Sequence, residues 1–384
     1  MIKCPACESL ETKTEIFIKN YPISIFPHSD EEAMRLPVDS ILVYKCDNCK
    51  HNFLENKSHL DYIYKNAYIN YPHQHSSETF SYREEFADFF VNFKQIEIEE
   101  LLEIGSNSFN NLLEFSGIAG GVTGISLEAT PKQSQNIELI QGSFDSFNFD
   151  KKFTIILSRF VLEHIYDLKS HLNKVFDILN ISGYFIVQVP NPSKMLSNNV
   201  FNVLAHEHLH YFTECSLRTL FAQNGFEIIE LLNGNSFLVC AKKSQQVDDS
   251  YIAKINRTDI NSVLFDQDVF KNLGEYIQSE IYSSRKVVIY GAGLNLIGLF
   301  LVNPALRVSP NIQIVDDNYL IIGKFMPNSS IEIIRLDQTQ INKNSIIIIL
   351  ANSTYQDLIV DRIKKLGLHN KVLNANLVEL NLHN

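Results

Sequence analysis

The chain has 384 residues, of which 45% are hydrophobic and 20% charged, and its net charge is −11. This length predicts two or three domains with sizeable cores. No apolar run reaches the roughly 18 residues of a membrane span, and the N-terminus lacks a signal-peptide pattern, so we expect a cytoplasmic protein. The negative charge, with no stripe of Lys or Arg, argues against nucleic acid as the main partner. A small anionic substrate fits this composition.

Four of the six cysteines form two C-x-x-C pairs, Cys4 with Cys7 and Cys46 with Cys49. In a reducing compartment such pairs favour a metal over disulfides, with free or redox thiols as the alternative. Four thiolates make the tetrahedral set that Zn²⁺ prefers and leave no open position, so we predict a structural zinc ion. The long excursion between the pairs must return as a hairpin-like insert. His51 is predicted to be a surface residue rather than a ligand.

The segment after the second pair is rich in aromatic side chains. From Ser77 to Phe93 their spacing predicts a helix whose apolar face enters the core. The tyrosines before it, Tyr68 and Tyr71 among them, could instead line a pocket, because a phenol offers both stacking and a proton.

Residues 101–113, LLEIGSNSFNNLL, read as a strand end, a small-residue turn and a helix start. In a parallel sheet this arrangement places backbone N–H groups and a helix N-terminus at the carboxyl edge, where nucleotide-like ligands bind. The candidate cofactor residues are Glu103, Gly105, Ser106 and Asn107. With one glycine the motif is weak, and an ordinary strand-to-helix connection is the alternative.

Residues 99–243 alternate strands and helices. Strands are predicted near 100–104, 121–126, 137–140, 153–158, 183–189, 226–231 and 236–241. This rhythm, with a late antiparallel pair, suits a seven-stranded Rossmann-like methyltransferase sheet. An acidic residue after the second strand usually binds ribose hydroxyls, which makes Glu128 a candidate. Further cofactor candidates follow the third and fourth strands: Ser143, Phe144, Ser158 and Arg159.

Side chains able to transfer protons or bind metals are most concentrated in AHEHLHYFT, residues 205–213. This cluster could bind a metal, act as acid and base, or form a polar loop. The spacing H-E-x-x-H is absent, and acid/base chemistry is favoured because His164, at the carboxyl end of the fourth strand, could face the loop.

A second strand–glycine turn–helix, RKVVIYGAGLNLIGLF, spans residues 285–300, after a predicted linker near Ser244–Ser250 and a helix near 262–283. Strands at 312–318 and 346–352 complete a second Rossmann-like unit. By its motif this unit could bind a dinucleotide; alternatively its crevice holds part of the substrate, or nothing. The predicted domains are therefore 1–60, 61–243 and 244–384.

Taken in order, these motifs resemble the zinc-containing, three-domain C-methyltransferases that act on nucleotide-linked deoxy-keto-sugars. The resemblance rests on the paired C-x-x-C knuckles and on EIGSN (103–107), VLEHI (161–165), VPN (189–191), EHLHYF (207–212), YGAG (290–293), VDDN (315–318) and GKFMP (323–327). It implies S-adenosylmethionine on the central domain and a sugar nucleotide between the central and C-terminal domains.

The resemblance also implies roles for single residues. The family's catalytic histidine falls on His208, with Glu207 beside it, and the V-L-E-H histidine falls on His164. We expect His208 to remove the acidic C3 proton beside a 4-keto group, His164 to polarise the keto oxygen and Glu207 to orient the base. The family's tyrosine matches Tyr68 or Tyr71.

The chain departs from the family pattern at Ala205 and His206, which stand where a tyrosine is common, and at Ser108, Phe109, Ser126 and Gln188. Two other hypotheses therefore stay open. One is an S-adenosylmethionine-dependent O-methyltransferase acting on a saccharide or small metabolite. The other is a binding protein that has lost the cofactor chemistry. The oligomeric state is open, a monomer included.

Overall fold

The structure is a computed structural model that describes residues 2–55, 59–64, 77–93, 95–196, 204–244, 267–351 and 353–382. Within these residues the strands form three sheets of four, eight and five strands. None of the described helices combines the length and apolar composition that crossing a bilayer requires. Tyr68, Tyr71 and most of the predicted linker lie outside the described residues.

The first sheet is antiparallel and is built mainly from the N-terminal segment. Its elements are β1 (Thr12–Pro22), α1 (Asp30–Arg35), β2 (Val38–Cys46), β3 (Asn52–Leu54) and α2 (Leu60–Tyr62). The excursion between the cysteine pairs returns as the predicted hairpin, because β1 pairs antiparallel with β2. The fourth strand, β10 (His210–Tyr211), comes from the histidine-rich loop and pairs with β3. The predicted domain boundaries at 60 and 243 stay a prediction. The pairing of β10 with β3 joins residues on either side of the first boundary.

The second sheet is the large, mostly parallel one. Its strands are β4 (Ile98–Ile104), β5 (Ala119–Ser126), β6 (Lys132–Ser134), β7 (Ile137–Gln141), β8 (Phe153–Arg159), β9 (Leu179–Pro190), β11 (Phe226–Asn233) and β12 (Ser236–Lys243). Their spatial order is β11-β12-β9-β8-β4-β5-β7-β6, and β12 runs antiparallel to both of its neighbours. The predicted late antiparallel pair is therefore present.

The prediction of seven strands was one strand short. The extra strand, β6, pairs antiparallel with β7 at the sheet edge. Its three residues, Lys-Gln-Ser, are all exposed, so no alternation of apolar and polar residues marks them as a strand. In contrast, β8 is buried along most of its length, as expected for a central parallel strand covered on both faces.

Helices flank this sheet. They are α3 (Ser77–Phe90), α4 (Phe109–Leu112), α5 (Leu168–Ile178), α6 (Pro192–Leu196) and α7 (Glu214–Gln223), with 3₁₀ turns at Val91–Phe93, Leu113–Phe115 and Leu162–His164. Thr213 caps α7 through a reciprocal pair of hydrogen bonds with Ser216, which fixes the end of the histidine-rich loop.

The third sheet is parallel throughout, in the order β15-β14-β13-β16-β17. Its elements are α8 (Gln267–Tyr282), β13 (Val287–Tyr290), α9 (Leu294–Val302), β14 (Ile312–Val315), β15 (Ile333–Ile334), β16 (Ile346–Ile349), α10 (Ser353–Lys365) and β17 (Lys371–Asn374), with 3₁₀ turns at Pro304–Val308 and Leu336–Gln338.

The N-terminal sheet contributes to two apolar cores. One core joins the four cysteines and Phe53 to central residues such as Phe185. The other joins Ile18 and Ile41 to strand residues of the third sheet. The N-terminal segment is thus packed against both α/β units rather than attached at one end.

Candidate functional site

The turn after β4 lies where the order of the central strands reverses, since β4 has β5 on one side and β8 on the other. In open α/β sheets ligands bind at the carboxyl ends of such strands. Gly105 turns the chain with φ +81°, and its N–H donates to the Ile125 carbonyl at 2.7 Å. The Ser106 hydroxyl and Glu103 Oε2 are buried and have no hydrogen-bond partner. Such orphaned groups are uncommon and mark an edge able to accept a ligand.

The neighbouring strand ends add further polar groups. The Ser126 hydroxyl donates to Asn107 Oδ1 at 2.5 Å, which ties the turn to β5. Ser158, at the end of β8, is fully buried and its hydroxyl has no partner. Glu128 follows β5, and partial burial raises the pKa of its carboxyl. The structure therefore gathers these predicted cofactor residues at one sheet edge.

Arg159 lies at this edge, and other side chains of the protein already bind its guanidinium group. Its guanidinium forms ion pairs with Glu103 at 2.5 Å and Glu114 at 3.0 Å, and it lies over the Phe86 ring at 4.4 Å. These contacts hold the Arg159 side chain beside Glu103, and its predicted contact with a cofactor stays a prediction.

The loop after β7 carries Ser143 and Phe144, whose predicted part in cofactor binding stays a prediction. Phe144 is buried and packs against the His171 ring, with centroids 4.9 Å apart. His171 Nδ1 lies 2.8 Å from Asp145 Oδ1, and this pair fixes the loop to α5. The Ser143 carbonyl accepts the Phe147 N–H at 3.0 Å, so Ser143 takes part in a tight turn.

The histidine-rich loop folds against the 3₁₀ turn of VLEHI. The Leu209 N–H donates to the Glu163 carbonyl at 2.8 Å, and His164 Nδ1 donates to the Glu207 carbonyl at 2.9 Å. The rings of His164 and His208 meet edge to face, with centroids 4.9 Å apart. His208 is half-buried, whereas Glu207 is nearly enclosed. The structure thus brings together His164, Glu207 and His208, whereas the other two residues named with them, Tyr68 and Tyr71, lie outside the described residues.

Burial alters the protonation of this cluster. It raises the pKa of Glu163 to about 8, with Glu207 adding repulsion, and raises that of Glu207 to about 7, with Glu128 adding repulsion. Burial first, and His208 second, lower the pKa of His164 to about 3. Near pH 7 His164 is therefore neutral, Glu163 is mostly protonated and Glu207 is partly so.

Glu163 was missed from the sequence. Its signal was weak but present, since a carboxylate stands inside the apolar run VLEHI directly before His164. The coupling of its carboxyl to Glu207, and of Glu207 to Glu128, places three acidic groups around the loop and the cofactor edge. Such convergence of perturbed carboxyls is typical of functional sites.

A second group of polar residues contacts the loop from the N-terminal sheet. His59 Nε2 lies 2.8 Å from Asp39 Oδ2, and the His59 ring meets the His206 ring at 4.8 Å. His206 is buried and its Nε2 atom has no partner. The Tyr21 hydroxyl donates to the Leu204 carbonyl at 2.6 Å, which anchors the start of the loop.

The four predicted cysteine ligands converge and are all buried, with their sulfurs within 4.8 Å of one another. Cys4 Sγ lies 3.7 Å from Cys49 Sγ, and Cys7 Sγ lies 3.5 Å from Cys46 Sγ. A tetrahedron with Zn–S bonds of about 2.3 Å has edges of about 3.8 Å. The donor set and spacing therefore fit one zinc ion.

His51 contradicts its prediction. It has no exposed surface, and its Nε2 lies 3.1 Å from His210 Nδ1. A surface position was expected because four thiolates were already available as ligands, but His210 of β10 packs against the His51 ring. A contact between residues so distant in sequence leaves no local signal.

The second glycine turn is closed by its own residues. Gly291 has φ +113°, and the Ala292 N–H donates to Asp316 Oδ2 at 2.9 Å. The Tyr290 hydroxyl donates to Asp317 Oδ2 at 2.7 Å. An unpartnered polar atom remains at Asn295 Oδ1. The Asp316 carboxylate, which follows the next strand, thus caps the turn.

Comparison with known proteins gives a match to the central part of the chain. Residues 71–231 match the model of a methyltransferase domain family. Over 154 residues the chain is 29% identical to the C-methyltransferase NovU of Streptomyces niveus. That alignment covers 37% of this chain and 37% of NovU, so the chain spans little more than a third of that relative's length.

Solved structures give weaker likenesses. The N-methyltransferase NodS of Bradyrhizobium japonicum WM9 in complex with S-adenosyl-l-homocysteine is 12% identical, with 48% of this chain and 98% of that chain covered and a TM-score of 0.35. A putative S-adenosylmethionine dependent methyltransferase from Listeria monocytogenes is 17% identical, with 42% and 100% covered and a TM-score of 0.34. TM-scores this low do not establish a shared fold. The sequence match makes residues 71–231 similar to a methyltransferase domain, and the turn after β4 lies within this range.

Proposed function

We propose that this protein is an S-adenosylmethionine-dependent C-methyltransferase acting on a nucleotide-linked 4-keto-deoxysugar. The observation that carries the proposal is the meeting of His208 with His164 beside the carboxyl edge of the central sheet. The domain match, the name of the relative and the order of the sequence motifs support it. The expected cytoplasmic location and small-molecule substrate belong to the same proposal.

The residues at the sheet edge fit the cofactor. Ser106, Ser158 and Glu103 each keep a buried polar atom without a partner, at the strand ends where such ligands bind. Glu128 is the acidic residue for the ribose hydroxyls. When bound, S-adenosylmethionine supplies an electrophilic methyl group on its sulfonium.

His208 is the proposed base. A ketone acidifies the neighbouring C–H group, and the half-buried imidazole of His208 can accept that proton. In this scheme the enolate carbon then acts as the nucleophile. Because the enolate carries its charge on oxygen, a nearby proton donor lowers the barrier.

The geometry changes the role we propose for His164. A carbonyl only accepts, so the bond to Glu207 uses the Nδ1–H, and a neutral ring then has no proton on Nε2 to donate. We therefore assign His164 to holding the loop. The raised pKa makes the Glu207 carboxyl a donor in part of the molecules at pH 7, and its Oε2 has no protein partner. Glu207 takes over the polarising role in our proposal.

Replacing His208 tests the proposal. His208→Asn should lower methyl transfer by about 10²–10⁴-fold because the base is gone, with S-adenosylhomocysteine affinity kept. Turnover is measured by mass spectrometry of a keto-sugar nucleotide, and affinity by calorimetry. His369→Asn, an exposed histidine of the third unit, is the matched control.

Unchanged turnover in His208→Asn would remove the assignment of the base. NMR of the product decides between carbon and oxygen methylation, and a methyl group on oxygen would favour the O-methyltransferase hypothesis. Lack of S-adenosylhomocysteine binding by the wild-type protein would favour a binding protein without cofactor chemistry.

We further propose that Cys4, Cys7, Cys46 and Cys49 hold one structural zinc ion. The purified protein should contain about one zinc per chain, and Cys46→Ser should lose it and unfold at lower temperature. Cys215→Ser, a buried cysteine outside the cluster, should keep its zinc. Wild-type protein without metal, or a Cys46→Ser variant with full metal content, would contradict the site.

A further inference from the structure

The sheet that carries the second cysteine pair extends directly into the histidine-rich loop. Strand β3 begins three residues after Cys49 and pairs antiparallel with β10, in the register His210 to Phe53 and Tyr211 to Asn52. The Leu54 N–H donates to the Leu209 carbonyl at 2.8 Å. The loop that carries His208 is therefore one edge of the cysteine-bearing sheet.

A chain of side-chain hydrogen bonds runs beside this backbone pairing. His210 Nε2 lies 2.7 Å from the Ile165 carbonyl, which can only accept, so Nε2 carries the proton. His210 Nδ1 is then the acceptor in the neutral ring, and His51 Nε2 donates to it at 3.1 Å. Both rings are buried, and the Phe212 ring packs against them at 5.1 and 5.5 Å. The direction of each bond follows from the groups present.

Both ends of this chain are anchored. At one end the Cys46 N–H donates to the His51 carbonyl at 2.8 Å, within the cysteine turn. At the other end Ile165 directly follows His164, and the Leu209 N–H donates to the Glu163 carbonyl. The loop is thus held between the cysteine turn and the VLEHI turn.

We propose that His51 and His210 are positioning residues: their hydrogen bonds couple the four-cysteine unit to the loop carrying Glu207 and His208 and so restrict the motion of that loop. The catalytic meaning of this arrangement rests on the proposed function, whereas the coupling itself does not. Neither histidine touches the proposed reacting atoms. Their effect is exerted through the backbone at 209–211 and at Ile165.

Hydrogen exchange of the full chain tests the coupling without any turnover. His51→Phe and His210→Phe keep aromatic packing but remove the hydrogen bonds made by the imidazole rings. Amide hydrogen exchange in residues 204–213 should therefore rise about tenfold, while exchange in residues 153–159 stays unchanged. His210→Gln, whose amide both donates and accepts, should restore much of the protection. His28→Phe alters another buried histidine of the same segment, bonded to Ser24, and should leave the loop unchanged.

Equal exchange in 204–213 for wild type, His51→Phe and His210→Phe would overturn the proposal. If the phenylalanine variants do not fold, the wild-type protein decides: the amides of Leu54 and Leu209 should exchange together and slowly, and fast exchange at Leu209 alone would also overturn it. In turnover, His210→Phe should lower kcat about tenfold with little change in S-adenosylhomocysteine affinity. Absence of turnover in the wild type, with a protected loop, would count against the proposed function only.

Discussion

The chain contains two strand–glycine turn–helix units of similar outline, β4 to α4 and β13 to α9. They differ in the hydrogen bonds that the polar groups of the turn make. Both turn through a glycine with positive φ, Gly105 and Gly291. After β4 the hydroxyl of Ser106 is left without a partner, whereas after β13 the carboxylate of Asp316 caps the Ala292 N–H. The path of the backbone alone therefore does not define a ligand site. What differs is the turn itself: a carboxylate of the protein caps the second turn, although Asn295 Oδ1 stays unpartnered beside it.

The largest effects should come from the two glycines. An added Cβ at Gly105 would lie 2.2 Å from the Val161 Cγ2 methyl, and at Gly291 it would lie 2.6 Å from the Ala351 backbone nitrogen. Each alanine variant should lose about 1–3 kcal/mol of stability. Gly291→Ala should lose more than Gly105→Ala, because backbone atoms can shift less than a side-chain methyl group.

The ligand separates the two variants. We expect Gly105→Ala to lower S-adenosylhomocysteine affinity at least about tenfold, and Gly291→Ala to leave it unchanged in the folded fraction. Calorimetry and thermal unfolding measure the two effects. Equal loss of affinity in both variants would show that the two turns are not functionally distinct.

The pH dependence of stability should report the buried carboxyl of Glu163. Its pKa is raised from 4.5 to about 8, so between these values the folded state keeps a proton that the unfolded state has lost. Stability should therefore fall as pH rises through this window and level off above it. Glu163→Gln should flatten this dependence, as measured by denaturant unfolding from pH 5 to 9. A slope as steep as in the wild type would place the titrating group elsewhere.

The smallest effect should come from Asp316. Its Oδ2 accepts from Ala292 N–H and its Oδ1 from Asn318 N–H, both at 2.9 Å. Asp316→Asn keeps one acceptor and loses the other, which should cost about 1 kcal/mol without changing S-adenosylhomocysteine affinity. Tight binding of ADP by the wild-type protein, lost in Asp316→Asn, would mean that this turn also serves a ligand.

Local sequence signals predicted most of the framework. The apolar runs gave the buried parallel strands, such as IIII at Ile346–Ile349, and the paired C-x-x-C motifs predicted the converging cysteines. Strand β6 was missed because Lys132, Gln133 and Ser134 are all exposed and carry no periodic pattern.

The site was predicted in its parts but not in its connections. His164 was expected to face the loop that carries His208, because it lies at the carboxyl end of the fourth predicted strand, and the two rings meet. The contact of His51 with His210 was not foreseen, and neither was the engagement of Arg159 by Glu103 and Glu114. These contacts depend on side-chain directions between segments far apart in sequence, which spacing does not encode.

The pairing of β3 with β10 also has a consequence for the order of folding. During synthesis, β1 to β3 leave the ribosome long before His210, so β3 then presents an unpaired edge. Its partner arrives only after β4 to β9 have been made. Such a non-local pairing closes late, and it favours a final folding step in which the histidine-rich loop docks. A nascent chain stalled before Tyr211 should therefore be more prone to aggregation than one stalled after α7.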